Sequence, residues 1–247
     1  FPADGETGAY YRTTIEATFT GDYDDSSVTI EVDGVQGTTE WRENTVVFTP
    51  SAALAPSTSY TTNVGFDCAG EAKSPSATWT TSEIGGSTTP GDLQDSTYAL
   101  DLASADFVEP AGIASILSGY LTFPIYLGIT SASDSELDIL GAIGEEEGDV
   151  QSCSDTIPFP TADFTQNPFF EIGPSDTTIS VEDVDVVIED LYVSGAFAPD
   201  GSYVDGATLS GSIDTRPLAG LVEEGNEAAI CELAGSLGIN CITCPDG

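Results

Sequence analysis

Histidine and methionine are absent from this chain of 247 residues, and only Arg12, Arg42, Lys73 and Arg216 carry positive charge. Without histidine, neither a Ser-His-Asp nor a Cys-His catalytic arrangement can form. A Ser-Lys pair would have to use Lys73, the single lysine. Phosphate handling is excluded on similar grounds, because no glycine-rich loop followed by lysine is present and four cations cannot steer anions. No stretch approaches the roughly 20 apolar residues of a membrane-spanning helix.

What is abundant is negative charge. There are 42 acidic residues, and the formal net charge is −38. Such a surface repels nucleic acid and anionic lipid headgroups. Self-repulsion destabilises the compact state at low salt, and at 1 M salt the screening length falls to about 3 Å. A salty, calcium-rich or acidic medium therefore suits the chain. Hydrophobic residues make up 40% and aromatics 9%, enough for packed cores, so this is not a disordered acidic tail. The length predicts one or two domains.

The sequence opens Phe1-Pro2-Ala3-Asp4, a start expected of a processed chain. A removed leader, with or without a lipid anchor, is compatible with it. The five cysteines are Cys68, Cys153, Cys231, Cys241 and Cys244. Cysteines clustered in an acidic, secreted-looking chain predict two disulfides drawn from Cys153, Cys231, Cys241 and Cys244, with Cys68 as the odd thiol. Four cysteines allow three pairings, and spacing does not choose among them. A zinc half-site at Cys241 and Cys244 would need histidine or further nearby cysteines. A redox pair would be expected at a helix start, whereas these two follow a predicted helix.

Residues 82–91 are small, polar and turn-rich, the composition of a flexible linker. The expected division is a domain over 1–84, a linker over 85–94 and a second domain over 95–247. Residues 1–90 hold 13 acidic and 3 basic side chains, whereas residues 91–247 hold 29 and 1. Period-2 alternation predicts strands at 13–20, 27–32, 45–49, 59–66 and 77–81. Broken by Gly, Pro and Asp, this pattern indicates a β-sandwich.

The run Val46-Val47-Phe48-Thr49-Pro50, continuing through Leu54, Pro56, Thr58 and Tyr60 to Val64, resembles the signature of bacterial Ig-like domains of the S-layer SbsA type. The closing Ala77-Thr78-Trp79-Thr80-Thr81 is similar to that family's last strand, and residues 15–20 to its opening strand. The resemblance covers about residues 8–82. Cys68 departs from it, since these domains usually lack cysteine. It implies an extracytoplasmic spacer or adhesion module with no catalysis attached.

Beyond the linker, strands are expected at 97–102, 125–130, 136–143, 177–181, 184–191, 192–198 and 207–213. A short helix is expected over 110–119, and a terminal helix over 226–237 with Ile230, Leu233, Ala234 and Leu237 on its buried face. The fold class is mainly β: an Ig-like sandwich followed by a curled antiparallel sheet or barrel with an early and a C-terminal helix.

Candidate chemistry is sparse, and no catalytic residue is assigned. Asp22, Asp24 and Asp25 are weak calcium candidates, because clustered loop carboxylates can supply some of the six to eight oxygens calcium takes. No other cofactor is expected. Glu145-Glu146-Glu147 and Glu182-Asp183-Val184-Asp185 offer carboxylate pairs of the kind glycosidases use. Arg216, the lone cation of the second half, would either fix a strand–helix corner or bind a ligand carboxylate. The Pro/aromatic runs at 123–127 and 157–170 would plug a core or line an apolar cavity. The leading reading is a non-enzymatic secreted or cell-surface protein that contacts another surface protein, a surface polymer or copies of itself. A carrier of a small apolar ligand and a carbohydrate-active enzyme are the alternatives.

Overall fold

The computed structural model describes residues 1–21, 23–102, 104–106, 123–144, 156–181, 184–221, 226–236, 238 and 241–243. It is mainly β and divides into two compact units. Unit 1 comprises Phe1–Thr89, Asn167–Phe169 and Ala196–Gly206; unit 2 comprises Pro90–Gln166, Phe170–Gly195 and Ala207–Gly247.

Unit 1 contains β1 (Thr7–Ala9), β2 (Ile15–Thr18), β3 (Thr29–Val32), β4 (Gly37–Arg42), β5 (Thr45–Pro50), β6 (Ser59–Cys68), β7 (Glu71–Lys73) and β8 (Ser76–Thr81). They form two sheets, ordered β1-β8-β6-β3 with β7 added to β6, and β2-β5-β4. Ile15, Val46 and Phe48 from one sheet pack with Ala9, Ile30, Val32 and Trp79 from the other, the interdigitated core of a sandwich. Trp79 is the anchor: it is buried, and its indole N–H donates to Thr62 Oγ1 at 2.9 Å. The turn from Leu54 to Tyr60 is tied to the same core. Leu54 is buried, Tyr60 Oη accepts from the Ala55 N–H, and Thr81 Oγ1 donates to the Ala55 carbonyl.

Residues 85–94 include Thr88 and the short helix α1 (Pro90–Leu93). Asn167 Oδ1 accepts from the Thr88 N–H at 2.9 Å, and Asn167 Nδ2 donates to the Thr88 carbonyl at 2.8 Å. Just before this run, Ile84 is fully buried with Tyr11, Ala196 and Ala198.

Unit 2 begins with an antiparallel meander of β9 (Thr97–Asp101), β10 (Pro124–Ala132) and β11 (Glu136–Ile143), extended by the short β12 (Ile157–Pro158) and β13 (Ala162–Asp163). Tyr98, Leu100, Ile125, Leu127, Ile129, Leu137 and Ile139 alternate into its core. A second sheet is ordered β14 (Phe169–Val181), β15 (Val184–Phe197) and β16 (Val204–Ile213). Among the described residues no sheet closes on itself, so of the two expected forms the open sheet is found and the barrel is not.

The segments expected as separate strands at 184–191 and 192–198 are the single strand β15. Its buried positions are Val186, then Leu191, Val193 and residues 195–197, so the inward phase changes parity near Asp190, which has φ 51°. Opposite lies Gly173, at φ +121°; a Cβ there would stand 2.4 Å from the Leu191 carbonyl oxygen. On β14, Phe170 and Ile172 are buried before Gly173, while Pro174 and Asp176 beyond it are exposed. Beyond Gly173 the more covered positions of β14 are half-buried Ser175 and Thr177, so both strands shift their inward phase where Gly173 meets Leu191.

The chain ends with a 3-10 turn, Pro217–Leu221, and helix α2 (Ala229–Ser236), closed by Gly238 at φ +83°. Its buried residues are Ala229 and Ala234, while Leu233 is exposed. The expected face of Ile230, Leu233 and Ala234 is thus rotated, and Leu237 lies outside the described residues, as does the expected helix at 110–119. Small alanine side chains let the helix lie close to the Pro217–Leu221 turn, which it contacts.

Candidate functional site

Two surface features stand out from the described residues, one in each unit. In unit 1, Phe19 follows β2, Tyr23 stands on the acidic loop, Trp41 lies on β4 and Phe66 on β6. The Phe19 and Tyr23 rings stack with centroids 4.5 Å apart, Tyr23 and Trp41 lie 6.2 Å apart at 17°, and Phe66 meets Phe19 edge-on at 5.3 Å. Beside them is an open cleft of about 400 Å³ lined by Phe19, Tyr23, Val64, Phe66, Cys68 and Pro75. Loss of solvation and the nearby Asp25 carboxylate push the Tyr23 hydroxyl above its ordinary pKa. Sequence reasoning missed this cluster, because β4 is exposed along its whole length and shows no alternation. The one usable signal was a tryptophan in an otherwise polar run.

In unit 2 the feature is an edge. β16 pairs with β15 alone among the described residues, and residues 207–213 are exposed except for half-buried Leu209. They are Ala207, Thr208, Leu209, Ser210, Gly211, Ser212 and Ile213, without a charge. Edge strands are ordinarily guarded by charge, proline or brevity. Here β3 carries Glu31, β2 Glu16, β4 Glu40 and Arg42, β9 Asp101, and β14 Glu171 and Asp176, while β1 and β12 are two or three residues long. On β16 the single carboxylate, Asp205, sits at the second position.

The predicted site residues are dispersed. Asp24 accepts from the Ser26 N–H and Ser26 Oγ, capping a 3-10 turn at Asp25–Ser27, and Asp22 lies outside the described residues. Among the described residues no group of three or more His, Cys, Asp or Glu side chains is placed to hold a metal ion. Arg216 forms a forked contact with Asp214, Nη2 to Oδ2 at 2.7 Å and Nε to Oδ1 at 3.0 Å. Side-chain and backbone hydrogen bonds from Arg216 lower the Asp214 pKa, against a smaller opposing effect of desolvation. Cys231 on α2 is bonded to Cys241, with Cα atoms 5.7 Å apart. Cys153 and Cys244 lie outside the described residues, and Cys68 is a half-buried thiol on β6. Glu145, Glu146, Glu147, Glu182 and Asp183 also lie outside them; Asp185 is exposed on β15. Of the Pro/aromatic runs, Phe164 and Phe170 are fully buried in unit 2. Phe169, in unit 1, lies under the Arg12 guanidinium at 3.8 Å.

A family model for the bacterial Ig-like domain matches residues 1–82. No curated protein and no solved structure matches the chain.

Proposed function

We propose that the chain is a non-enzymatic surface protein, exported from the cytoplasm. Its Ig-like sandwich serves as a stalk or assembly module of the S-layer kind, and unit 2 makes the specific contact with a surface protein, a surface polymer or its own copies. The observation that carries this is the sandwich over residues 1–82, two sheets closed on Trp79 and matched by the bacterial Ig-like family. The Cys231–Cys241 bridge supports the location, since disulfides persist in oxidising compartments. Adaptation to a salty medium and loose calcium binding at the acidic loop belong to the same proposal, motivated by the −38 charge.

The location is tested by treating intact source cells with a protease that does not cross membranes and following the chain by immunoblot. Loss of the band while a cytoplasmic marker survives is expected. A chain protected until the cells are lysed would refute a surface position.

A further inference from the structure

We infer that residues 207–213 of β16 are a pairing edge for a second copy of this chain, joined antiparallel about a two-fold axis through Ser210. This rests on the self-assembly branch of the reading above and gives it a site.

The chain averages about one carboxylate per six residues (42 in 247), and each longer edge strand described has a carboxylate within it or at its end. β16 alone presents seven consecutive positions without a carboxylate, all exposed but half-buried Leu209. In a polyanion, an incoming strand with ordinary acidic content would meet repulsion at every other longer edge. An edge that has lost its guards is a template for backbone pairing.

The same placement favours self-pairing. In the antiparallel register centred on Ser210, Ala207 faces Ile213, Thr208 faces Ser212 and Leu209 faces Gly211, so no two charges stand opposite. Asp205 lies five residues from the axis, which separates the two copies of that carboxylate by roughly 34 Å at 3.4 Å per residue, beyond a Debye length at 0.1 M salt. Asp214, just past the strand, is already held by Arg216. Seven-residue strands bury less than the roughly 1,200 Å² of a stable interface, so the pairing is weak and matters where copies are crowded, as on a surface. Two chains of −38 approach only when their fields are screened, so the contact strengthens with salt.

Sedimentation velocity on the full chain tests this at about 0.5 mM protein, where an association in the millimolar range is visible. Wild type is expected to be monomeric at low salt and to populate dimer near 1 M NaCl. Ser210→Asp and Ser210→Lys each place like charges directly opposite at the axis, where they repel, and each is expected to lose the dimer. An equal mixture of the two variants is expected to restore it as a heterodimer. Ser210 is exposed, and far-UV circular dichroism confirms that both variants keep the fold. A wild type that stays monomeric at 1 M NaCl overturns the inference and leaves the edge to some other occupant. A dimer untouched by Ser210→Asp overturns the edge while leaving self-assembly through another surface. A mixture that fails to re-pair overturns the two-fold register. None of these results bears on the protease test of location.

Discussion

Replacing Gly173 by alanine is the sharpest perturbation of the sheet in unit 2. The residue has φ +121°, a region that side chains with a Cβ rarely enter, and the added methyl would lie 2.4 Å from the Leu191 carbonyl oxygen and 3.0 Å from Tyr192 Cα. Both are backbone atoms, so no rotamer change relieves the overlap. The strained backbone costs about 1–3 kcal/mol, and forcing the two strands apart costs a further 1–3 kcal/mol, by analogy with overpacked cores. A loss near 4 kcal/mol is therefore expected, which for a unit of this size lowers Tm by roughly 8–16 °C. The matched control is Gly235→Ala. That position lies in α2 with no neighbour within 4 Å of a Cβ, so the change is expected to stabilise by about 0.5–1 kcal/mol. Urea titration followed by circular dichroism reads both variants, and amide exchange across 170–195 localises the change. If Gly173→Ala stays within about 0.5 kcal/mol of wild type, a range typical of surface substitutions away from special features, the two strands do not cross as described and the paired phase reversal is wrong.

Other outcomes are equally definite. Thr62→Val leaves the buried Trp79 N–H without its acceptor and is expected to cost about 1–3 kcal/mol in chemical denaturation; an unchanged midpoint would mean the indole is satisfied elsewhere. Opening the Cys231–Cys241 bridge, which spans 10 residues, is expected to cost about 2–3 kcal/mol, read as a midpoint shift on adding reductant. With that bridge closed and a second one between Cys153 and Cys244, unreduced denatured protein should alkylate one thiol, Cys68; three would refute the two-bridge model. Because its folded pKa is depressed, Asp214 contributes stability that is present above the ordinary value of 3.8 and is lost as pH falls through the lower folded value. Arg216→Ala should raise the Asp214 pKa toward 3.8 in an NMR titration. Thermal stability should rise between low salt and about 1 M salt; a flat curve would show that the −38 charge is not a burden.

Strands that bury one continuous face were legible. Residues 77–81, 125–130 and 136–143 alternate in the sequence and in the sheets, and 45–49 and 59–66 are strands as expected. Where burial changes phase or disappears, periodicity carries no signal. β15 looked like two strands because its inward set shifts at Asp190, and β4 was invisible because all six residues are exposed. The rotated face of α2 was also not legible: Ala229 and Ala234 are buried and Leu233 is exposed, the reverse of what side-chain size alone suggests. The aromatic cleft joins residues 19, 23, 41 and 66, and only the assembled sandwich puts these together. Which cysteine meets Cys231 was likewise a matter of tertiary placement, with Cys241 brought to a Cα separation of 5.7 Å.

Unit 1 is discontinuous. The matched family segment ends at residue 82, yet Tyr11 and Ile84 are covered by Ala196 and Ala198, and Thr88 is held by Asn167. During synthesis the ribosome must therefore deliver more than a hundred further residues before this unit has all its parts. Until then the nascent sandwich displays a tyrosine and an isoleucine that the finished protein hides. A fragment cut at the family boundary would lack Ile84 and leave Tyr11 permanently uncovered. It would report the behaviour of an incomplete unit in place of the behaviour of the mature module.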